Sequence, residues 1–326
     1  MSLVFLLERY EIIYLENLKI FSQFFLTSYF EFLINFKLGF FMNFAACRSL
    51  LFTPANRPDR FLKALETKAD GLVIDLEDAV SQKDKDSARL GLIEFLKTKP
   101  FEKNNNKSRP FLVCVRINSI QTLAGLKDIT ALCESKIFPD ALVFPKVEYA
   151  EEIKLYDKYF SLPECQNLSY MALIETAIGL ENAYKIAHAS PRLSGLTFGG
   201  ADLAADLGAE LSFEPMFYAR SRIVQAAKSA GLCALDVPFL DIHNDAGNKE
   251  EAERVKKMGY TGKYAIHPAQ IETLYQVFTP SPEDLNRAQG IVDAYNQAGG
   301  NVAEFNGKMI DVPVYKSAMR ILNIGK

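Results

Sequence analysis

The spacing of apolar positions switches repeatedly between two periods along this chain. Downstream of Met42, short apolar runs such as Gly71-Leu72-Val73-Ile74 and Met171-Ala172-Leu173-Ile174 alternate with longer stretches whose apolar residues recur at helical spacing. The runs predict strands near 48–53, 71–75, 111–116, 141–145, 169–175, 193–198, 233–237 and 263–266. Between them the pattern predicts helices near 58–68, 84–97, 121–135, 148–158, 179–188, 216–230, 248–258 and 268–277. Alternation of this kind favours parallel strands with helices outside, and eight such units close into a (β/α)8 TIM barrel of about 250 residues. Residues 99–110, with Pro100, three consecutive asparagines and Pro110, read as a surface loop inside that domain.

The barrel pattern occupies residues 42–278. Thr279-Pro280-Ser281-Pro282 ends it, and a C-terminal segment, 279–326, follows with a helix near 283–298 and a last helical stretch after Pro313. Residues 1–41 form an N-terminal extension of another character, rich in Phe, Leu and Ile but interrupted by Glu8, Arg9, Glu11, Glu16, Lys19, Glu31 and Lys37. No uninterrupted apolar run there reaches the roughly 18 residues that span a bilayer. The acids also argue against a transit peptide, and a signal peptide would need a cleaner apolar centre. An amphipathic helix and an artificially early start are the two readings of this extension.

Charge narrows the function classes. Lys and Arg number 37 against 40 Asp and Glu, a net charge of −3, without the basic runs that nucleic-acid binding requires. Five scattered cysteines, Cys47, Cys114, Cys133, Cys165 and Cys233, read as reduced thiols of a cytoplasmic protein rather than as a disulfide framework. The 49% apolar content supports a large core, and the expected partner is a small molecule, with neither nucleic acid nor membrane.

Chemistry in a TIM barrel gathers at the C-terminal ends of the strands. Glu175 and Asp202 each follow one apolar strand and precede a glycine-assisted turn into a helix, so they would face one pocket from successive strands. Two carboxylates suffice for a hard cation such as Mg2+, the remaining positions being filled by substrate oxygens and water. The competing reading makes both acids helix-terminal residues that satisfy amides and the helix dipole. The second strand delivers Asp75, Glu77 and Asp78 together, and of these Glu77 and Asp78 are the candidates to hold metal-bound waters or a neighbouring arginine. That arginine is Arg116, at the end of the third strand, where an unpaired buried charge would be expensive. Its expected partner is a substrate carboxylate, with the acid cluster keeping it oriented. Lys146 ends the fourth strand beside it. Arg57 and Arg60, around Pro58 after the first strand, suit phosphate groups or are ordinary surface charge. His188, His243 and His267 fall in no nucleophile–base pattern.

Taken in order, RSLLFTPANRPDRF, DGLVIDLEDAV, VRIN, ALVFPKVE, IETAIGLENA, LTFGGADLAADLG, YARSRIVQAAKSAGLCALDVPF, GYTGKYAIHPAQI and GKMIDVPVYKSAMRIL resemble the citrate lyase β-subunit-like (HpcH/HpaI aldolase) family, close to malyl-CoA and citramalyl-CoA lyases, over residues 48–323. The resemblance implies a Mg2+-dependent lyase, with Mn2+ as a substitute, that joins or splits an acetyl-type CoA thioester and a 2-keto acid. By similarity the metal ligands are Glu175 and Asp202, the carboxylate clamp is Arg116 and the acidic pair is Glu77 and Asp78. The thioester arm would run past Arg57 and Arg60 and near Pro268. Asp311, otherwise a turn residue before Pro313, matches the acid/base of relatives with this tail, where it often serves a neighbouring subunit. A homotrimer or a dimer of trimers is the implied assembly. Rival readings are a citrate lyase β subunit working on an acyl-carrier protein, a malyl-CoA-type thioesterase, and a non-catalytic acyl-CoA-binding protein.

Overall fold

A computed structural model describes residue 44, residues 46–98 and residues 111–325. These lie in one compact unit, Asn43–Lys326, distinct from Met1–Met42. The 1–41 extension and the 99–110 loop fall outside the described residues. Eight parallel strands close on themselves in chain order, as expected: β1 (Ser49–Pro54), β2 (Gly71–Asp75), β3 (Leu112–Arg116), β4 (Ala141–Phe144), β5 (Ser169–Ile174), β6 (Leu193–Phe198), β7 (Cys233–Asp236) and β8 (Gly262–Ala265), with β8 paired to β1. Helices α1 (Lys85–Thr98), α2 (Leu123–Ser135), α3 (Ala150–Tyr159), α4 (Ala177–Ala187), α5 (Gly200–Leu207), α6 (Phe213–Ser229), α7 (Asp245–Met258) and α8 (Ala269–Phe278) follow the strands in turn.

Side chains fill the barrel interior. Leu50, Val73, Cys114, Val143, Met171, Cys233, Leu235 and Tyr264 are buried together there, which is why these strands read as near-continuous apolar runs. Gly195 on β6 faces Met171, and a Cβ at that position would meet the Cys233 Sγ at 2.5 Å and the Met171 Cε at 2.6 Å. Helix starts are set locally. The Thr122 and Thr176 hydroxyls each accept from the amide three residues on, at 3.0 Å, and Asn244 does the same for Gly247 at 2.8 Å.

The first expected helix, 58–68, is instead two 3-10 turns, Pro58–Arg60 and Leu62–Glu66. Its bonds Phe61 N to Pro58 O and Ala64 N to Phe61 O close over three residues rather than four, after a start at a proline that lacks an amide hydrogen. Two further elements were not anticipated. One is α5, a short extra helix between β6 and α6. The other is a hairpin of β9 (Ala303–Phe305) and β10 (Lys308–Ile310), turned by Asn306 and Gly307 at φ 52° and 72°. Asn-Gly at positive φ is the favoured two-residue hairpin turn. The hairpin lies between α9 (Pro282–Gln297) and α10 (Val312–Gly325), which pack on each other around Ala288, Val292 and Ala318.

Outside the barrel wall a buried charge cluster ties β7 and β8 to α6 and α7. Lys263 donates to Asp236 at 2.6 Å, to Glu251 at 2.7 Å and to the Val237 carbonyl at 2.5 Å, while Arg220 donates to Asp236 at 2.9 Å. Burial opposes the Asp236 charge, but Lys263 and Arg220 hold its carboxyl below the usual range. The bond to Val237 anchors the chain where it leaves β7 for the catalytic rim.

Candidate active site

Strand register assembles the site. In the β2–β3 ladder Asp75 stands directly opposite Arg116, so both side chains leave the barrel end on the same face. In the β5–β6 ladder Ile174 stands opposite Phe198, which places the next residues, Glu175 and Gly199, side by side. A side chain at 199 is excluded, since a Cβ there would overlap the Glu175 Cβ and Oε2. The glycine before α5 is therefore a cradle for the Glu175 carboxylate as well as a turn residue.

Arg116 is held on several sides. Its Nε and Nη2 donate to the two Asp75 oxygens, each at 2.7 Å, and its Nη1 lies 2.9 Å from Glu77 Oε2 and 3.9 Å from Asp78 Oδ2. The Glu77 approach is close enough for an ion pair but off the hydrogen-bond direction, so this buried Oε2 has no hydrogen-bond donor. Burial opposes the Arg116 charge, and the Asp75 bonds and charge, with Glu77 and Glu175, raise its pKa beyond the ordinary arginine value.

Lys146 bridges two of the acids. Its ammonium donates to Glu77 Oε1 at 2.6 Å and lies 3.8 Å from Asp78, while its amide, presented by a left-handed backbone at φ 51°, donates to Glu175 Oε1 at 2.8 Å. Among the described residues, then, the Lys146 charge is engaged by the acid cluster. Lys85 donates to the Leu76 and Glu77 carbonyls at 2.9 and 2.8 Å and so fixes the loop that carries the cluster. Burial, with Asp78 adding to it, raises the Glu77 carboxyl, and Arg116 and Lys146 pull the other way.

Glu175 is the most perturbed acid of the site. It is 1% exposed, and burial, with negative Glu77 and Asp202 close by, pushes its carboxyl up to about 8 against the pull of Arg116. Asp202 lies half-buried in the first turn of α5. Thr176 rather than Glu175 caps α4, so the helix-capping reading of Glu175 is set aside; Asp202 does sit at a helix start, where the dipole also suits it. Two hard oxygen donors that repel each other, one seated in a cradle only glycine leaves open, fit a divalent cation such as Mg2+. Among the described residues no group of three or more His, Cys, Asp or Glu side chains converges, so such a cation would rest on these two acids with water and substrate completing its shell.

The remaining candidates lie around the rim or beyond it. Arg57 is exposed and paired side-on with Asp59 at 3.0 and 2.9 Å, and Arg60 is exposed beside them. Pro268 is exposed at the start of α8, after Ile266 and His267, whose amides donate to Gln270 Oε1. Because β8 closes on β1, these two loops share one sector of the rim. Asp311 caps α10 by accepting from Val314 N at 3.1 Å, and among the described residues no hydrogen bond or ion pair joins it to the barrel cluster. Asp75, Lys85 and Gly199 are the contributors that sequence reasoning passed over as individuals. For Asp75 a signal existed: it shares alternation with Glu77 and aligns with Arg116 once the two strand ends are set level.

A closed parallel barrel with two carboxylates and an oriented arginine at its C-terminal rim is a setting suited to metal-assisted chemistry on a small anion. The chain belongs to the HpcH/HpaI aldolase/citrate lyase family, whose model matches residues 48–268. It is 33% identical to the mitochondrial citramalyl-CoA lyase of Homo sapiens over 300 residues, covering 85% of each chain. Against the citrate lyase subunit beta of Haemophilus influenzae it is 33% identical over 290 residues, covering 86% of this chain and 97% of that one. It is also similar to the crystal structure of CitE from Mycobacterium tuberculosis in complex with magnesium, acetoacetate and coenzyme A, with a TM-score of 0.70 at 31% identity over 86% of this chain and 99% of that one. The resemblance drawn from the ordered motifs is thus borne out, as is the barrel.

Proposed function

We propose that the chain is a Mg2+-dependent carbon–carbon lyase that splits a 3-hydroxyacyl-CoA of the malyl or citramalyl kind into acetyl-CoA and a 2-keto acid, and joins them in reverse. The observation that carries this reading is Glu175: a buried carboxyl raised to about 8 by burial and two acidic neighbours, set across the strand ends from an arginine already oriented by Asp75. Such a site is organised for a cation and a small anion together. The relatives' names and the magnesium and coenzyme A of the CitE complex support the same chemistry.

Glu175 and Asp202 would hold the cation, and Arg116 would clamp the carboxylate of the keto-acid half. When bound, Mg2+ would supply positive charge that favours the alkoxide left when the substrate's hydroxyl gives its proton to water, and that oxygen becomes the keto-acid carbonyl as the carbon–carbon bond breaks. The electron pair of that bond passes to the thioester fragment as an enolate, and Asp311 delivers the proton that completes acetyl-CoA. Since α10 and its capping Asp311 pack with α9 and the hairpin, we assign this proton to a neighbouring copy in a homotrimer. Arg57, Arg60 and Pro268, in one rim sector, would receive the CoA arm. We place the enzyme in the cytoplasm.

The test is a spectrophotometric screen of malyl-, methylmalyl-, citramalyl- and citryl-CoA with Mg2+, reading keto-acid release. One methyl group separates malyl-CoA from methylmalyl- or citramalyl-CoA, worth only about 1–3 kcal/mol of discrimination. Keto acid formed in step with acetyl- or propionyl-CoA supports the reading. Free acid and CoA without keto acid would make the protein a thioesterase, and binding without any turnover would leave a binding protein. Turnover only with a citryl acyl-carrier protein favours the second reading, a citrate lyase β subunit, to which the Haemophilus relative points.

A further inference from the structure

The three acids at the end of β2 are not equivalent. Asp78 has a side chain 56% exposed, Glu77 is buried but retains an oxygen without a donor, and Asp75 is both buried and saturated. Asp75 Oδ1 accepts from Glu77 N at 2.9 Å and Arg116 Nε at 2.7 Å, and Oδ2 accepts from Ala79 N at 3.1 Å and Arg116 Nη2 at 2.7 Å. Each oxygen thus holds two donors, so Asp75 has no capacity left for a metal or a substrate.

That saturation dictates what Arg116 has left. A guanidinium carries five N–H groups in one plane, and the side-on pair, from Nε and Nη2, is consumed by Asp75. The guanidinium carbon lies over the Phe52 ring, 5.1 Å from its centroid. What remains for two-pronged docking is the end-on pair, one N–H each from Nη1 and Nη2, with Glu77 Oε2 off-axis at 2.9 Å and Asp78 Oδ2 at 3.9 Å from Nη1.

We infer that Asp75 is the positioning residue of this site: it grips Arg116 side-on so that the end-on donor pair faces an incoming carboxylate, while its two amide contacts seat the loop that carries Glu77. That the carboxylate belongs to a 2-keto acid rests on the proposed lyase reading; the grip on Arg116 does not.

Two substitutions test it. Asp75→Asn replaces one acceptor oxygen by an NH2 group that meets Arg116 donor to donor. Asp75→Glu keeps the charge but moves the fork by roughly one bond, about 1.5 Å. Calorimetric titration with Mg2+ alone should give both variants a metal affinity within about threefold of the parent. At saturating Mg2+, binding of pyruvate and of glyoxylate should weaken about tenfold or more in both, because angstrom-scale misplacement is costly. In turnover the loss should fall mainly on KM for the keto acid in the joining direction. Independently of any substrate, the 15N-arginine spectrum of the parent should contain a slowly exchanging Arg116 Nε–H resonance that Asp75→Asn abolishes. A role limited to charge balance in the fold would be rescued by Asp75→Glu; a positioning role is not. Should Asp75→Asn fail to fold, the Glu variant decides. Folded variants that bind keto acid within threefold of the parent and retain the arginine signal overturn the inference. A parent that binds Mg2+ but neither keto acid instead overturns the lyase reading, and the arginine signal then decides the role of Asp75.

Discussion

Binding of Mg2+ at neutral pH should release close to one proton, and Glu175 should be its source. With the Glu175 carboxyl raised to about 8, only about a tenth of the metal-free sites carry the ionised form at pH 7, following the ordinary titration relation. Since the cation needs the carboxylate, its apparent affinity should climb nearly tenfold per pH unit from 6 towards 8 and level off above that. Stability carries the same signature with a definite sign. A carboxyl raised from 4.5 to about 8 favours the fold when protonated. Its contribution is fully present below the unfolded value and is lost as pH rises through about 8, an effect on the order of 5 kcal/mol for a shift of that size. The metal-free protein should therefore melt at progressively lower temperature as pH is raised across this window, and Mg2+ should restore most of the loss. Calorimetry in two buffers of different ionisation enthalpy counts the protons, and thermal melts from pH 5 to 8.5 follow the stability. Glu175→Gln should remove most of the proton release and flatten the melting profile. A metal affinity independent of pH, with no proton exchanged, would refute the reasoning, because it would mean that Glu175 is already ionised in its buried setting.

Other outcomes follow from single contacts. Gly199→Ala must push the Glu175 carboxylate aside, so turnover should fall about 100-fold, with a stability cost of about 1–3 kcal/mol for the overpacking; a variant with parental activity and Mg2+ affinity would show that the cradle is not needed. Asp311→Asn should stop exchange of the acetyl-CoA α-protons with deuterated solvent while α10 stays capped, since Asn is an equally good cap; retained exchange assigns the base elsewhere. Lys263→Met leaves Asp236 buried against Arg220 alone and should cost about 3–5 kcal/mol in chemical denaturation, where a loss under 1 kcal/mol would deny the cluster a structural role.

How much of this was legible in the amino-acid order follows the range of the interactions concerned. Barrel strands announced themselves because both faces are buried, which leaves continuous apolar runs; all eight were placed within a residue or two. Strand-end charges stood out for the same reason, as breaks in apolar runs. What each charge does was less legible, because it depends on register between strands. Asp75 and Glu77 look alike in sequence, yet only Asp75 stands opposite Arg116, and only Glu77 lies within reach of Lys146. Gly199 read as a turn residue, and its second role emerges only when β5 and β6 are set side by side. The region after Pro58 kept helical spacing but took i-to-i+3 bonds, a choice that spacing does not encode. The Asn306-Gly307 pair is a local hairpin signal, but strands of only three residues on either side gave no alternation to read with it, and the hairpin was missed.

The most direct test of the account is the stoichiometry of divalent-cation binding, measured by Mn2+ electron paramagnetic resonance on the parent, Glu175→Gln and Asp202→Asn. The expected result is one Mn2+ per chain in the parent, none at comparable concentration in either variant, and carbon–carbon cleavage that rises and falls with occupancy. Full Mn2+ binding in either variant, or cleavage that continues at the parental rate with the site empty, would contradict it.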